Sequence, residues 1–203
     1  MNTKLRVFQN HQDGDLLLRF VLEASSHDVE LMRKFGDPEI EVGGTYFQNA
    51  TLDAPVISEG GVIASVAVAT AGAEHTYSPQ RPVVLQAVGT SGDGAILNAV
   101  LTENGQLDSI TVVDGGSGYS EDTVVRIVSG SHVTTYPLQK VKLFSGFPFT
   151  RRINTIPAGD ASLAALAALY VAQIETNVGT ALAGLRALDT TTTDLTKEVV
   201  YQP

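Results

Sequence analysis

The sequence predicts an α+β protein. A body of strands and one long helix, residues 1–55 plus 131–203, is interrupted by an inserted all-β module, residues 56–130, of small sandwich or barrel type. Three observations carry this reading. An Ala/Leu-rich stretch near the C-terminus repeats its apolar residues at helical spacing. The segment from about Gly60 to Gly130 is rich in Gly, Val, Ser and Thr and has no helical period. Short apolar runs broken by Gly, Asp and Pro lie on either side of that segment.

Leu5-Arg6-Val7-Phe8 and Leu16 to Leu22 are apolar runs joined by the turn cluster His11-Gln12-Asp13-Gly14-Asp15, which together predict a hairpin. Asp28 to Phe35 reads either as one helical turn or as an irregular strand, and Gly36-Asp37-Pro38 stops it. Glu39-Ile40-Glu41-Val42 alternates polar and apolar as a half-buried strand does, and ends at Gly43-Gly44. The Gly43-Gly44 to Pro55 region has the composition of an exposed loop, where an insertion is tolerated.

The inserted module contains an internal repeat. Gly61-Val62-Ile63-Ala64-Ser65-Val66-Ala67-Val68 aligns with Gly105-Gln106-Leu107-Asp108-Ser109-Ile110-Thr111-Val112, and Gly72 with Gly116, at an offset of 44 residues. Tyr77 then aligns with Tyr119, and Leu85 with Ile127, at an offset of 42. Each copy reads as strand, Gly-Tyr turn, strand, with a further strand over Gly92 to Leu101 placed between the copies. Two copies are too few for a solenoid, so a sandwich or barrel of some five to seven strands is expected.

Val133 to Leu143 and Phe144 to Thr150 read as strands broken by Gly146 and Pro148. Asp160 is placed to cap a helix running to about Leu188. Leu163, Leu166, Tyr170, Ile174, Val178, Leu182, Leu185 and Leu188 share one of its faces. Gly179 and Gly184 weaken that helix by about 1 kcal/mol each relative to Ala, and leave room for close approach of another backbone. The Thr190–Thr193 run reads as a polar loop or linker, and Glu198 to Tyr201 as a last strand.

Composition narrows the function. The net charge of −9, with 13 scattered basic residues, argues against a nucleic-acid backbone or an anionic membrane as partner. There is no cysteine, which removes thiol chemistry, disulfides and thiolate metal sites. The first residues lack the apolar core of an export signal, and no run reaches some eighteen consecutive apolar residues. Synthesis in a cytosol without export by the usual signal is therefore expected.

The residues that carry chemistry elsewhere are poorly arranged here. His11, His27, His75 and His132 are widely separated and show no metal-ligand spacing. Ser117, in Asp114-Gly115-Gly116-Ser117-Gly118-Tyr119, superficially matches a Gly-x-Ser-x-Gly nucleophile elbow, but a strand-like run follows it where a helix is needed. The same glycines, Gly115, Gly116 and Gly118, lack the Lys-Ser/Thr of a phosphate loop and read as a tight turn under Tyr119. Asp13-Gly14-Asp15 and Asp93-Gly94 are fragments of a calcium loop at most, and read as solvated turns. The expectation is a non-enzymatic protein with no catalytic, cofactor-binding or metal-binding residues.

The segment Gly105-x-Leu107-x-Ser109-Ile110-x-Val112-x-x-Gly115-Gly116-Ser117-Gly118-Tyr119 is similar to a recurring repeat of tailed-bacteriophage virion proteins. The first copy, with Ala71-Gly72-Ala73-Glu74-His75-Thr76-Tyr77, keeps only its framework. A looser likeness to small phage proteins lies in Phe35-Gly36-Asp37-Pro38-x-Ile40-x-Val42-Gly43-Gly44 and in Phe147-Pro148-Phe149-Thr150 ahead of an Ala-rich helix. The resemblance implies a virion component made in the host bacterial cytoplasm: a capsid decoration or cement protein, or a neck, tail or baseplate protein. Its partners would be copies of itself and other virion proteins. The alternative is a carbohydrate-binding or adhesion module displayed on the particle, with Tyr77 and Tyr119 as the stacking aromatics for a host-surface glycan.

Overall fold

The structure, a computed structural model, describes residues 2–13, 15–153, 160–189 and 196–201. In chain order its elements are β1 (Lys4–Gln12), β2 (Asp15–Glu23), α1 (Ser26–Phe35), β3 (Glu39–Tyr46), β4 (Thr51–Leu52), β5 (Val56–Ser58), β6 (Val62–Ser65), β7 (Val68–Thr70), β8 (Val84–Val88), β9 (Asp93–Leu101), β10 (Leu107–Ser117), β11 (Val124–Ser129), β12 (Thr134–Lys142), β13 (Phe149–Ile153), α2 (Ala161–Arg186) and β14 (Thr196–Tyr201). The protein is α+β. Residues 1–44, 135–159 and 163–203 form one compact unit, and residues 45–134 with 160–162 form a second.

The first unit is built on a four-stranded sheet of order β13-β2-β1-β14, in which β14 runs parallel to β1 and the other neighbours are antiparallel. Alternation in β1 and β2 turns Leu5, Val7, Leu16, Leu18 and Phe20 into the core. Helix α2 lies on that core: Phe20 stacks on Phe149 at 4.9 Å and meets Tyr170 at 5.9 Å between ring centroids. The apolar face read from the sequence is buried from Leu163 to Leu185, whereas Leu188 lies beyond the helix end and is exposed. By length and hydropathy α2 would also be able to cross a membrane. In this fold its apolar face meets the sheet. Gly184 has open space where a Cβ would stand, so no backbone uses that gap.

Residues 26–35 are a helix of nearly three turns. Ser25 caps it, accepting the Asp28 amide on its hydroxyl at 3.1 Å, and Gly36 closes it with φ +99° and its N–H on the Met32 carbonyl. Its register places Asp28 in the core, where Arg186 of α2 donates to it from Nε and Nη2, both at 2.7 Å. The hydroxyls of Thr3 and Ser25 also donate to Asp28. Gln173 and Asn177 tie α2 to the β3 carbonyls of Gly43 and Glu41, each at 2.7 Å.

In the second unit the described strands pair two by two, as β4–β7, β5–β6, β9–β10 and β8–β11, rather than joining one continuous sheet. Their registers show how the repeat is built. Val56 pairs with Ser65 and Ile57 with Ile63 in the first copy, while Val100 pairs with Ser109 and Leu101 with Leu107 in the second. Thr51 pairs with Thr70 and Leu52 with Val68, matching Ile96 with Asp114 and Leu97 with Val112. The bulges fall at the same places in both. The strand at Gly92 to Leu101 therefore does not stand between the copies. It is the first strand of the second copy, and its counterpart is the broken pair β4 and β5, whose likeness is too interrupted to show in the sequence.

The two copies clasp each other. Tyr119 donates its amide to the Gly61 carbonyl and Tyr77 donates its amide to the Gly105 carbonyl, both at 2.9 Å. The Tyr77 hydroxyl accepts the Ala50 amide at 2.8 Å, and the Tyr119 hydroxyl accepts the Ala95 amide at 3.2 Å. Each tyrosine thus docks its backbone on the other copy's hairpin glycine, while its ring packs in a core cluster that both copies line, Tyr77 with Leu107 and Tyr119 with Ile63. The relation is a local twofold.

Candidate functional site

The four histidines are not gathered into a metal site among the described residues. His11 is exposed on β1, His27 lies in α1, and His75 sits in a turn with φ +59°. Among the described residues no cluster of His, Asp and Glu is placed to hold a metal ion. Asp93 opens β9, and Asp13 sits at the β1–β2 turn with φ +51°. Ser117 is exposed at the end of β10, and the next element is strand β11, so the strand-to-helix geometry of a nucleophile elbow is missing. Gly116 and Gly118 have φ of +62° and +75°. A Cβ on Gly116 would meet the Asp93 carbonyl, and one on Gly115 the Ile63 carbonyl. These glycines allow backbone to pack on backbone.

Tyr77 is 1% exposed and Tyr119 8%, so neither ring offers a face for stacking on a sugar.

The structure assembles one titratable cluster that sequence reasoning did not. His132 and Asp160 are both buried in the second unit, with His132 Nε2 at 3.7 Å from Asp160 Oδ2. Ser78 donates its hydroxyl to the same Oδ2 at 2.8 Å, and Asp160 Oδ1 accepts the Ser162 amide at 2.8 Å, capping α2 as its position predicted. Arg81 Nη1 lies 3.4 Å from His132 Nδ1. Because arginine only donates, Nδ1 is the acceptor and the imidazole proton sits on Nε2, facing Asp160. Burial and the Arg81 charge push the His132 pKa down against the pull of Asp160. Burial alone would raise the Asp160 pKa, but the Ser162 and Ser78 hydrogen bonds outweigh it and hold it low. Serine and histidine converge on one carboxylate oxygen instead of forming a Ser-His-Asp relay. No spacing in the sequence signals it, since its members are brought together only by the fold.

Two ladders of the second unit turn apolar side chains outward, on β9–β10 on either side of the exposed polar pair Asn98 and Thr111. On the outward side of β8 and β11, Val88 stands opposite Val124 and Gln86 opposite Arg126, with Val84 and Val128 beyond them. The four valines are 37–50% exposed. Arg126 has no hydrogen bond or ion pair to a described residue. On the outward side of β9 and β10, Ile96, Val100 and Val113 are 54%, 41% and 58% exposed, beside Asp114. The inner residues of both ladders (Leu85, Ala87 and Val125 on one, Ala95, Leu97 and Val112 on the other) belong to one core cluster with Ile63 and Tyr119, so the two outward faces diverge from it.

No family model, curated protein or solved structure matches the chain.

Proposed function

We propose that the protein is a structural component of a tailed-phage particle, a capsid decoration or cement protein or a neck, tail or baseplate protein, acting through protein–protein contacts and not through catalysis. The observation that carries this reading is the pair of valine- and isoleucine-rich outward faces on a unit whose own core is already closed. Exposed apolar strand surface concentrated on two ladders is what an assembly contact uses. The resemblance of residues 105–119 to a phage virion repeat points the same way. The burial of Tyr77 and Tyr119 leaves the glycan-stacking alternative without its aromatics.

Light scattering on the purified chain over a range of concentrations tests the proposal. A discrete oligomer of fixed order is expected. A strict monomer at every concentration, joined by binding on a glycan array, would overturn it in favour of an adhesion module.

A further inference from the structure

We propose that the assembly contact joins two copies of this chain head to tail, the β8–β11 face of one copy meeting the β9–β10 face of the next. The proposal rests on the assembly reading and names its partner and its surfaces.

Three features select these faces and this pairing. The first is a comparison the molecule makes with itself. At the positions where the second repeat exposes Ile96, Val113 and Asp114, the first repeat has Thr51, Ala69 and Thr70, and the Thr51 and Thr70 hydroxyls lie 2.7 Å apart. The same backbone is therefore satisfied by small and polar residues. Exposed Ile96 and Val113 are not needed for the fold, and they concentrate apolar surface on one ladder.

The second feature is charge. The β8–β11 face carries one cation, Arg126, flanked by valines and without a partner among the described residues. The β9–β10 face carries the carboxylate of Asp114 among its apolar residues, with Oδ1 taken by the Gly116 amide at 2.8 Å. Setting either face on itself through a twofold would bury like charges together, which costs free energy that apolar contact must overcome. Setting one face on the other brings Arg126 towards Asp114 inside an apolar surround.

The third is direction. Because the two faces diverge from a shared core, one copy cannot satisfy both with a single neighbour. Contacts between unlike faces propagate, closing into a ring when the rotation per step allows and otherwise giving a filament.

A mixing experiment tests this. Val124→Lys blocks the first face and Val113→Lys the second, at positions exposed enough to keep the fold, which circular dichroism verifies. The double variant Ile96→Thr with Val113→Ala serves as a second block of the β9–β10 face, because it installs residues the first repeat already carries. The wild type is expected to form an oligomer larger than a dimer, and each variant to be monomeric. An equimolar mixture of Val124→Lys with either β9–β10 variant should give a 1:1 heterodimer and nothing larger, since each partner contributes its one intact face. Variants that keep the wild-type mass would overturn the head-to-tail contact and leave the assembly reading standing. Variants that dissociate but do not recombine would also overturn it, and dissociation by only one of the two blocks would show a contact of that face with itself. A monomeric wild type would overturn the head-to-tail contact between copies, while the assembly reading falls only if glycan binding accompanies it.

Discussion

Leu85 and Ile127 are equivalent residues of the two repeats, and they face each other directly across the β8–β11 ladder. A residue paired with its own counterpart marks the local twofold, so the ladder that closes the second unit is where the two copies meet. The reciprocal bonds of Tyr77 to Gly105 and Tyr119 to Gly61 are arranged about the same axis. Neither copy completes its core without the other, because each core cluster draws on both, Tyr77 with Leu107 in one and Tyr119 with Ile63 in the other. The unit should therefore unfold as a whole.

The hairpin glycines test this clasp. A Cβ on Gly105, whose φ is +69°, would meet the Tyr77 carbonyl, and one on Gly61, whose φ is +73°, would meet the Tyr119 amide at 2.7 Å. Gly105→Ala and Gly61→Ala should each lower the unfolding free energy by about 2 kcal/mol or more, read from urea midpoints at constant slope. Gly184→Ala, in the exposed surface of α2 with nothing within 4 Å, should raise stability by about 0.5–1 kcal/mol. Equal effects at all three positions would argue against the clasp.

The tyrosine hydroxyls should separate in the same assay. Tyr77→Phe strands the amide of buried Ala50 and is expected to cost about 1–3 kcal/mol. Tyr119→Phe frees the amide of half-buried Ala95, bonded at the longer 3.2 Å, and should cost less.

His132 gives the second unit a pH dependence. Its folded pKa lies below the ordinary value of 6.5 because the buried imidazole resists charging. Above 6.5 the imidazole is neutral in both states and its full contribution is present. As pH falls towards and through the folded value the unfolded chain binds the extra proton, and that contribution is lost. Stability measured by urea unfolding should decline as pH falls below about 6.5, and His132→Gln should flatten that part of the profile. An unchanged slope in the variant would show that His132 is not its source.

Asp28 and Arg186 set the behaviour of the first unit at lower pH. Burial alone would raise the Asp28 pKa, but the Arg186, Thr3 and Ser25 hydrogen bonds outweigh it and hold it below the usual carboxylate range. The stability this supplies is present above about pH 4 and is lost as pH falls through the lower folded value. Arg186→Met, which leaves the Asp28 carboxylate buried without its cation, should cost about 3–5 kcal/mol. An Asp28→Asn/Arg186→Met double variant should recover part of that loss, as a double-mutant cycle would read.

The sequence alone determined the parts of this protein that repeat over a few residues. The buried face of α2 from Leu163 to Leu185, the Asp160 cap, the alternation in β1 and β2, and the Gly-Tyr frame of the repeat all follow from periods and turn chemistry that are local. Helix α1 was only half legible: its period is short, so one helical turn and an irregular strand both fitted Asp28 to Phe35, and the structure has a helix over Ser26–Phe35 between the Ser25 cap and the Gly36 stop. Tertiary structure alone decided what depends on residues far apart in the chain. It assigned the Gly92–Leu101 strand to the second repeat, exchanged the tyrosine turns between copies, gathered Ser78, His132 and Asp160 round one buried oxygen, and turned Val84, Val88, Ile96 and Val113 outward. The physical reason is that a strand's alternation says which residues share a face, while only the partner packed against it says whether that face is core or surface.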